Sequence, residues 1–215
     1  MEDQESQYFS KRMRMVEEQI TARGVRDVKV LDAKRNVPRH VFVPENLRQH
    51  AYEDHPLSIG QEQTISQPYI VAFMTEMLAL KGHEKVLEVG TGCGYQTAVL
   101  AEICQEVSTI ETLKNLSEKA QETLASLQYR SIVFKIGDGH DGWPEASPFD
   151  AIIVTAAAET ILPQLIDQLK VGGKMIIPVG TVVQRLYLIT KLKIGYDEKE
   201  LCVVRFVPMV KSGRI

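Results

Sequence analysis

Glycine occupies every second position of Gly90-Thr91-Gly92-Cys93-Gly94, directly after the apolar run Val86-Leu87-Glu88-Val89 and just before a helical stretch opening at Tyr95. A strand that empties into such a turn lets the backbone approach a ligand closely, because no Cβ stands in the way. A dinucleotide pyrophosphate fingerprint, G-x-G-x-x-G, would need its third glycine at position 95, which is tyrosine. The turn therefore suits a ligand without a pyrophosphate, and Glu88 brings a carboxylate suited to a cationic amino group. About 20 residues downstream, Glu111 ends the next apolar run, where a carboxylate can accept from both hydroxyls of a ribose. Gly137-Asp138-Gly139 closes a third run, and Asp138 can accept from an adenine amino group. Taken singly, each is an ordinary turn or a solvated strand end. In this order, at one edge of a sheet, the three point to an adenosyl ligand. Upstream, Gln63-Thr64-Ile65-Ser66-Gln67-Pro68 carries two hydroxyls. Ser66 can donate to an anion near the helix that Pro68 opens, or Ser66 or Gln67 can simply cap that helix.

These residues need a scaffold, and the chain after Lys85 supplies one. Short β-branched runs at 85–89, 107–111, 132–136, 151–155 and 174–179 alternate with helical stretches at 95–104, 113–127 and 160–169, the last stopped by Gly172-Gly173. The alternation predicts an α/β fold with a doubly wound, mostly parallel sheet. Residues 186–193 and 201–207 flank Gly195-Tyr196-Asp197 with no room for a helix, which predicts a C-terminal antiparallel hairpin. Ahead of the sheet, Phe9, Met13, Val16 and Ile20 recur at helical spacing behind Ser10 as a cap, Gly24 stops that helix, and a second helix spans 27–36. Pro38 and Pro44 frame a loop or extended segment, and 54–67 read as a long loop feeding the helix at Pro68.

A chain of 215 residues fits one domain. Its expected parts are a helical cap and substrate loop over 1–80, a cofactor-binding βα core over 81–180 and the hairpin over 181–215. With 25 basic against 28 acidic side chains, the net charge of −3 supplies no field for sequence-independent nucleic-acid binding. Lys11, Arg12 and Arg14, interleaved with Glu17 and Glu18, read as a solvated helix face. No apolar run nears the roughly 18 residues that span a bilayer, and the acidic start is unlike a signal peptide, so a cytoplasmic protein is expected, as a monomer. Cys93, Cys104 and Cys202 show neither disulfide nor metal-ligand spacing, and no metal is expected.

The G-x-G-x-G turn with Glu88 before it resembles the S-adenosylmethionine loop of class I methyltransferases, whose Rossmann-like fold the strand pattern also fits. After the run at 151–155 the chain reads Ala156-Ala157-Ala158-Glu159, without the Asn/Asp-Pro-Pro-aromatic segment of base-modifying enzymes. Over nearly its whole length the chain resembles the protein-L-isoaspartate O-methyltransferase family. The resemblance runs through Val37-Pro38-Arg39, Phe42-Val43-Pro44, Gln63-Thr64-Ile65-Ser66-Gln67-Pro68, Glu88-Val89-Gly90-Thr91-Gly92, Gly137-Asp138-Gly139 and Arg205-Phe206-Val207-Pro208. The Thr-Ile-Ser-x-Pro segment is its most specific part.

What the resemblance implies is methyl transfer from S-adenosyl-L-methionine to the free α-carboxylate of L-isoaspartyl residues in damaged proteins and peptides, repaired through a succinimide. It implies Ser66 as the active-site serine with Thr64 beside it. Gln63, Ile65, Glu88, Gly90, Thr91, Gly92, Glu111, Asp138 and Gly139 are implied around the cofactor, and Val207 against the substrate peptide. The chain departs from the bacterial pattern at Glu62, where glycine is common, which bears on the shape of that loop. On the residues alone, an adenosyl-binding module without turnover and an enzyme for small-molecule acceptors both stay open.

Overall fold

With its three central strands buried on both faces by their apolar and β-branched residues, the sheet lines up five strands in parallel. They are β3 (Lys85–Val89), β4 (Glu106–Glu111), β5 (Ile132–Ile136), β6 (Phe149–Val154) and β7 (Leu169–Val179). Val86 packs into one apolar cluster, and Leu87 and Val89 into the other, as a two-residue side-chain period requires. Burying each such side chain contributes roughly 1.5–3 kcal/mol. The computed structural model describes residues 2–211, so Met1 of the acidic start and residues 212–215 lie outside the described residues.

The sheet order is β5-β4-β3-β6-β7-β8-β9, with β8 (Gln184–Lys191) and β9 (Tyr196–Val204) antiparallel at one end. The expected α/β class, parallel core and terminal hairpin are all present. Strand order reverses beside β3, between β4 and β6, and a doubly wound sheet opens its ligand crevice at the carboxyl ends of strands at such a switch. Helices α4 (Tyr95–Ala101), α5 (Lys114–Ser126) and α6 (Pro163–Asp167) connect the strands. The last helix is shorter than expected and β7 longer: the chain enters the sheet at Leu169, through Gly172-Gly173, with a bulge opposite Phe149 to Ala151.

The N-terminal layer packs on one face. Helix α1 (Glu2–Arg14) widens into a π turn over Met15–Ile20 before Gly24, at φ +98°, ends it. Ser10 does not cap this helix; it lies inside it and donates from Oγ to the Ser6 carbonyl (3.0 Å). The Asp27 side chain caps α2 (Val28–Asn36) by accepting from Lys29 N and Val30 N. Arg12 is not on a solvated face: only 8% exposed, it stacks its guanidinium on the Phe9 ring. Lys34 and Arg39 are fully buried on either side of this layer's contact with Tyr95, at 4.4 and 4.9 Å from its ring centroid. Burial, with Arg39 nearby, pushes the pKa of the Lys34 ammonium well below its usual value. Among the described residues, no helix is long and apolar enough to cross a membrane.

Residues 54–67 are not a plain loop. Strands β1 (Leu57–Gly60) and β2 (Gln63–Ile65) form an antiparallel hairpin whose turn residues Gln61 and Glu62 sit at φ +51° and +58°. Two left-handed residues make the tight turn that favours glycine, which gives the departure at Glu62 its physical meaning. Left-handed backbone costs a non-glycine residue about 1–2 kcal/mol, partly offset by the entropy that glycine loses on folding. Glu62→Gly is therefore expected to stabilise the protein by about 0.5–1 kcal/mol, read as a higher urea midpoint at unchanged slope. A lower midpoint would show that Glu62 is held there by contacts worth more than the strain.

Candidate active site

The switch point opens into a cleft enclosing about 870 Å³ of non-protein space, part of it open solvent. Three segments build its walls. The glycine turn after β3 forms the floor. Gly90 N and Thr91 N both donate to Ile110 O (2.8 and 3.2 Å), which stitches the turn to β4. Gly90 itself is at φ +100°, and a Cβ there would run into the Thr155 hydroxyl, which donates to the Gly90 carbonyl (2.6 Å). Across the cleft, Gly139 lies so close to β3 that a Cβ would stand 2.6 Å from Val89 Cγ1. Glycine at both positions keeps the ligand space open.

Glu111, at the end of β4, lines the cleft. Its Oε2 accepts from Gly92 N (2.8 Å) and its Oε1 from Leu113 N (3.0 Å), so each oxygen retains a lone pair for a ligand hydroxyl. The second wall is the strap Gln63-Thr64-Ile65-Ser66, all of which line the cleft. Ile65 roots the strap in the core, and Gln67 Nε2 ties it to the Asp54 carbonyl (3.0 Å). Helix α3 (Pro68–Leu78) starts with no side-chain cap, so neither Ser66 nor Gln67 is used that way, and among the described residues the Ser66 hydroxyl has no protein partner. The third wall is the tail. After β9 the chain leaves the sheet, turns over the carboxyl edge and places Phe206, Val207 and Met209 in the cleft. The second arm of the hairpin, expected over 201–207, therefore ends at Val204, and Arg205 to Pro208 run beyond it. Pro208 lacks the N–H of a ladder rung, a signal legible in the sequence, whereas the Thr155 and Met209 contributions have none.

Two implied residues stand apart from the lining. Asp138 accepts at Oδ1 from His140 N (2.9 Å) and pairs with His140 Nδ1 (2.7 Å), while its neighbour Gly139 lines the cleft. Glu88 is fully buried beneath the turn rather than in the cleft, because the alternation of β3 turns its side chain to the face of Val86. Its Oε2 accepts from Thr97 Oγ1 and Thr109 Oγ1, and Thr109 in turn accepts from Thr91, so the carboxyl ties the turn to α4. Burial, against the two threonine donors and with Glu111 adding repulsion, pushes its pKa up to about 8. At neutral pH it is largely uncharged, so it offers no countercharge to an ammonium. Burial also pushes the Cys93 thiol up to about 11, which leaves no thiolate in the cleft.

A carboxyl protonated more readily in the folded than in the unfolded chain makes folding less favourable as pH rises between the two pKa values. Glu88→Gln keeps an acceptor for both threonines and cannot ionise. Its stability relative to the unaltered protein is expected to climb from about pH 5 to about pH 8, with activity at pH 7 within about 3-fold, followed by thermal melts across that range. A flat difference would place the ionised form in the folded protein.

Fold and site together define a class I S-adenosylmethionine-dependent methyltransferase. Residues 10–214 match the family described as protein-L-isoaspartate(D-aspartate) O-methyltransferase. A protein-L-isoaspartate O-methyltransferase of Picosynechococcus sp. is 54% identical over 198 residues, covering 92% of this chain and 89% of that one. One from Dictyoglomus turgidum is 56% identical over 187 residues, covering 86% and 85%. Among solved structures, a protein-L-isoaspartate O-methyltransferase superposes with a TM-score of 0.84 at 28% identity, over 94% of this chain and 66% of that one. A Plasmodium falciparum chain in complex with S-adenosyl-L-homocysteine superposes at 0.81 and 27% identity, over 93% and 98%. The chain belongs to the protein-L-isoaspartate(D-aspartate) O-methyltransferase family.

Proposed function

We propose that this chain methylates the free α-carboxylate of L-isoaspartyl residues in damaged proteins and peptides, and so starts their repair through a succinimide. The observation that carries the reading is one cleft that joins a free serine hydroxyl, the glycine turn and Glu111. The residues present fit S-adenosyl-L-methionine: the turn leaves room for close approach, Glu111 keeps lone pairs for ribose hydroxyls, and Gly139 opens the wall beside Asp138. Bound there, S-adenosyl-L-methionine supplies a methyl carbon made electrophilic by a sulfonium.

The chain's own contribution is positioning. A carboxylic acid titrates near pH 4, so the acceptor arrives ionised and no side chain has to remove a proton. Ser66 Oγ donates to one acceptor oxygen and leaves the other free to attack, with Thr64 beside it on the strap. Val207 and its neighbours receive the peptide on the opposite wall, and strap and tail together exclude water. Alignment of this kind can lower a barrier by roughly 7–11 kcal/mol. The reading extends to a monomer working in the cytoplasm on protein and peptide substrates, with no nucleic acid among its partners, as the net charge of −3 favours.

Labelled methyl groups are expected to pass to an isoaspartyl peptide as a base-labile ester, and not to its aspartyl counterpart. Equal labelling of the two peptides would remove the specificity. Preferential labelling of free small carboxylates would move the acceptor to another class.

A further inference from the structure

The tail is turned over the cleft by a single side chain. Gln184 opens β8 opposite Val204, the last residue of β9. Two residues beyond that pair, Gln184 Nε2 donates to the Phe206 carbonyl (3.0 Å) and Gln184 Oε1 accepts from the Phe206 N–H (2.6 Å). Gln184 is only 7% exposed, so both bonds are at least partly shielded from water. A side-chain amide that satisfies both backbone groups of one residue replaces the next rung of the ladder and frees the chain to change direction. The chain then meets Ala157, whose N–H donates to the Val207 carbonyl (2.8 Å) and whose carbonyl accepts from Met209 N–H (2.8 Å). Val207 is thus suspended between two anchors, Gln184 before it and Ala157 beside it.

We propose that Gln184 is a positioning residue for the methyl acceptor, fixing the tail so that Val207 presents its wall to the isoaspartyl peptide. The proposal rests on the reading of Val207 as substrate wall. Gln184 does not itself line the cleft, so its removal acts on where the peptide sits and leaves the glycine turn and Glu111 as they are.

Gln184→Met keeps the length and the burial and removes both bonds. Hydrogen exchange at the Met209 amide reads release of the tail, because its own partner, Ala157, is untouched. Two lost hydrogen bonds of ordinary strength correspond to about a 10-fold change or more. We expect Met209 to exchange about 10-fold faster with β3 and β4 amides unchanged, and KM for an isoaspartyl peptide to rise about 10-fold with kcat within about 3-fold. Should Gln184→Met not fold, Gln184→Glu carries the same test, since it can accept from Phe206 N–H but cannot donate to its carbonyl. Unchanged exchange at Met209 would overturn the anchor itself. Faster exchange with an unmoved peptide KM would leave the anchor standing and overturn both the assignment of Val207 and the positioning role. A parallel fall in kcat, melting temperature and core protection would reduce Gln184 to a stability residue.

Discussion

Ser66→Ala is expected to lower kcat/KM for an isoaspartyl peptide by about 10- to 150-fold, the equivalent of a charge-assisted hydrogen bond of about 1.5–3 kcal/mol. The substitution should change little else. The Ser66 hydroxyl has no partner among the described residues, so its removal orphans no buried group, and the strap stays rooted through Ile65 and Gln67. Affinity for S-adenosyl-L-homocysteine, measured by calorimetry, should stay within about 3-fold because the hydroxyl is assigned to the acceptor. Full activity in Ser66→Ala would take the serine out of catalysis. A matching loss of product affinity would move it to the cofactor side of the cleft.

Gly90→Ala should do more damage, to the fold and to the ligand together. At φ +100° an alanine is strained by about 1–3 kcal/mol, and its Cβ would displace the Thr155 hydroxyl from the turn's carbonyl. For a chain of this size that corresponds to a melting temperature lower by roughly 5 °C. The turn would also be pushed into the cofactor space, and we expect affinity for S-adenosyl-L-homocysteine to fall by more than about 100-fold, seen as loss of the thermal shift that the ligand gives. Gly172→Ala is the control: that glycine is also left-handed, at φ +84°, but a Cβ there meets nothing within 4 Å and lies outside the cleft. If both substitutions lower stability alike and both retain the ligand shift, the turn is structural only.

The parts of this fold that could be read in advance are those in which one local pattern settles the outcome. Strands β3, β4 and β6 are rich in apolar and β-branched residues because both their faces are buried, and that composition is visible without coordinates. The cleft's lining was legible for a related reason: Gly90, Glu111 and Gly139 all lie at or just beyond the carboxyl ends of parallel strands, so topology alone brings them to one edge. Where the outcome depends on partners distant in sequence, the signal disappears. The hairpin at 57–65 has few paired residues and a charged side chain where a glycine would have marked the turn. Arg12 looks solvated beside Lys11 and Arg14 because nothing local announces its interaction with Tyr52, 40 residues on. The turn of the tail depends on Gln184, 22 residues before Phe206. Glu88 differs from these cases. Its place in the strand is local, and the alternation of β3 sends it inward to the face of Val86 although it lies next to the turn in sequence.

Lys34 has a practical consequence. Burial shifts Lys34 towards the uncharged amine, the form reactive towards acylating reagents, yet the side chain is sealed beneath the Tyr95 ring with no accessible surface. Surface amines will acquire such a label at once, whereas Lys34 can acquire it only when the N-terminal layer lifts from the sheet. The mass of the peptide that carries it therefore works as a clock for opening events, one the sequence already contains and no probe need be installed to read.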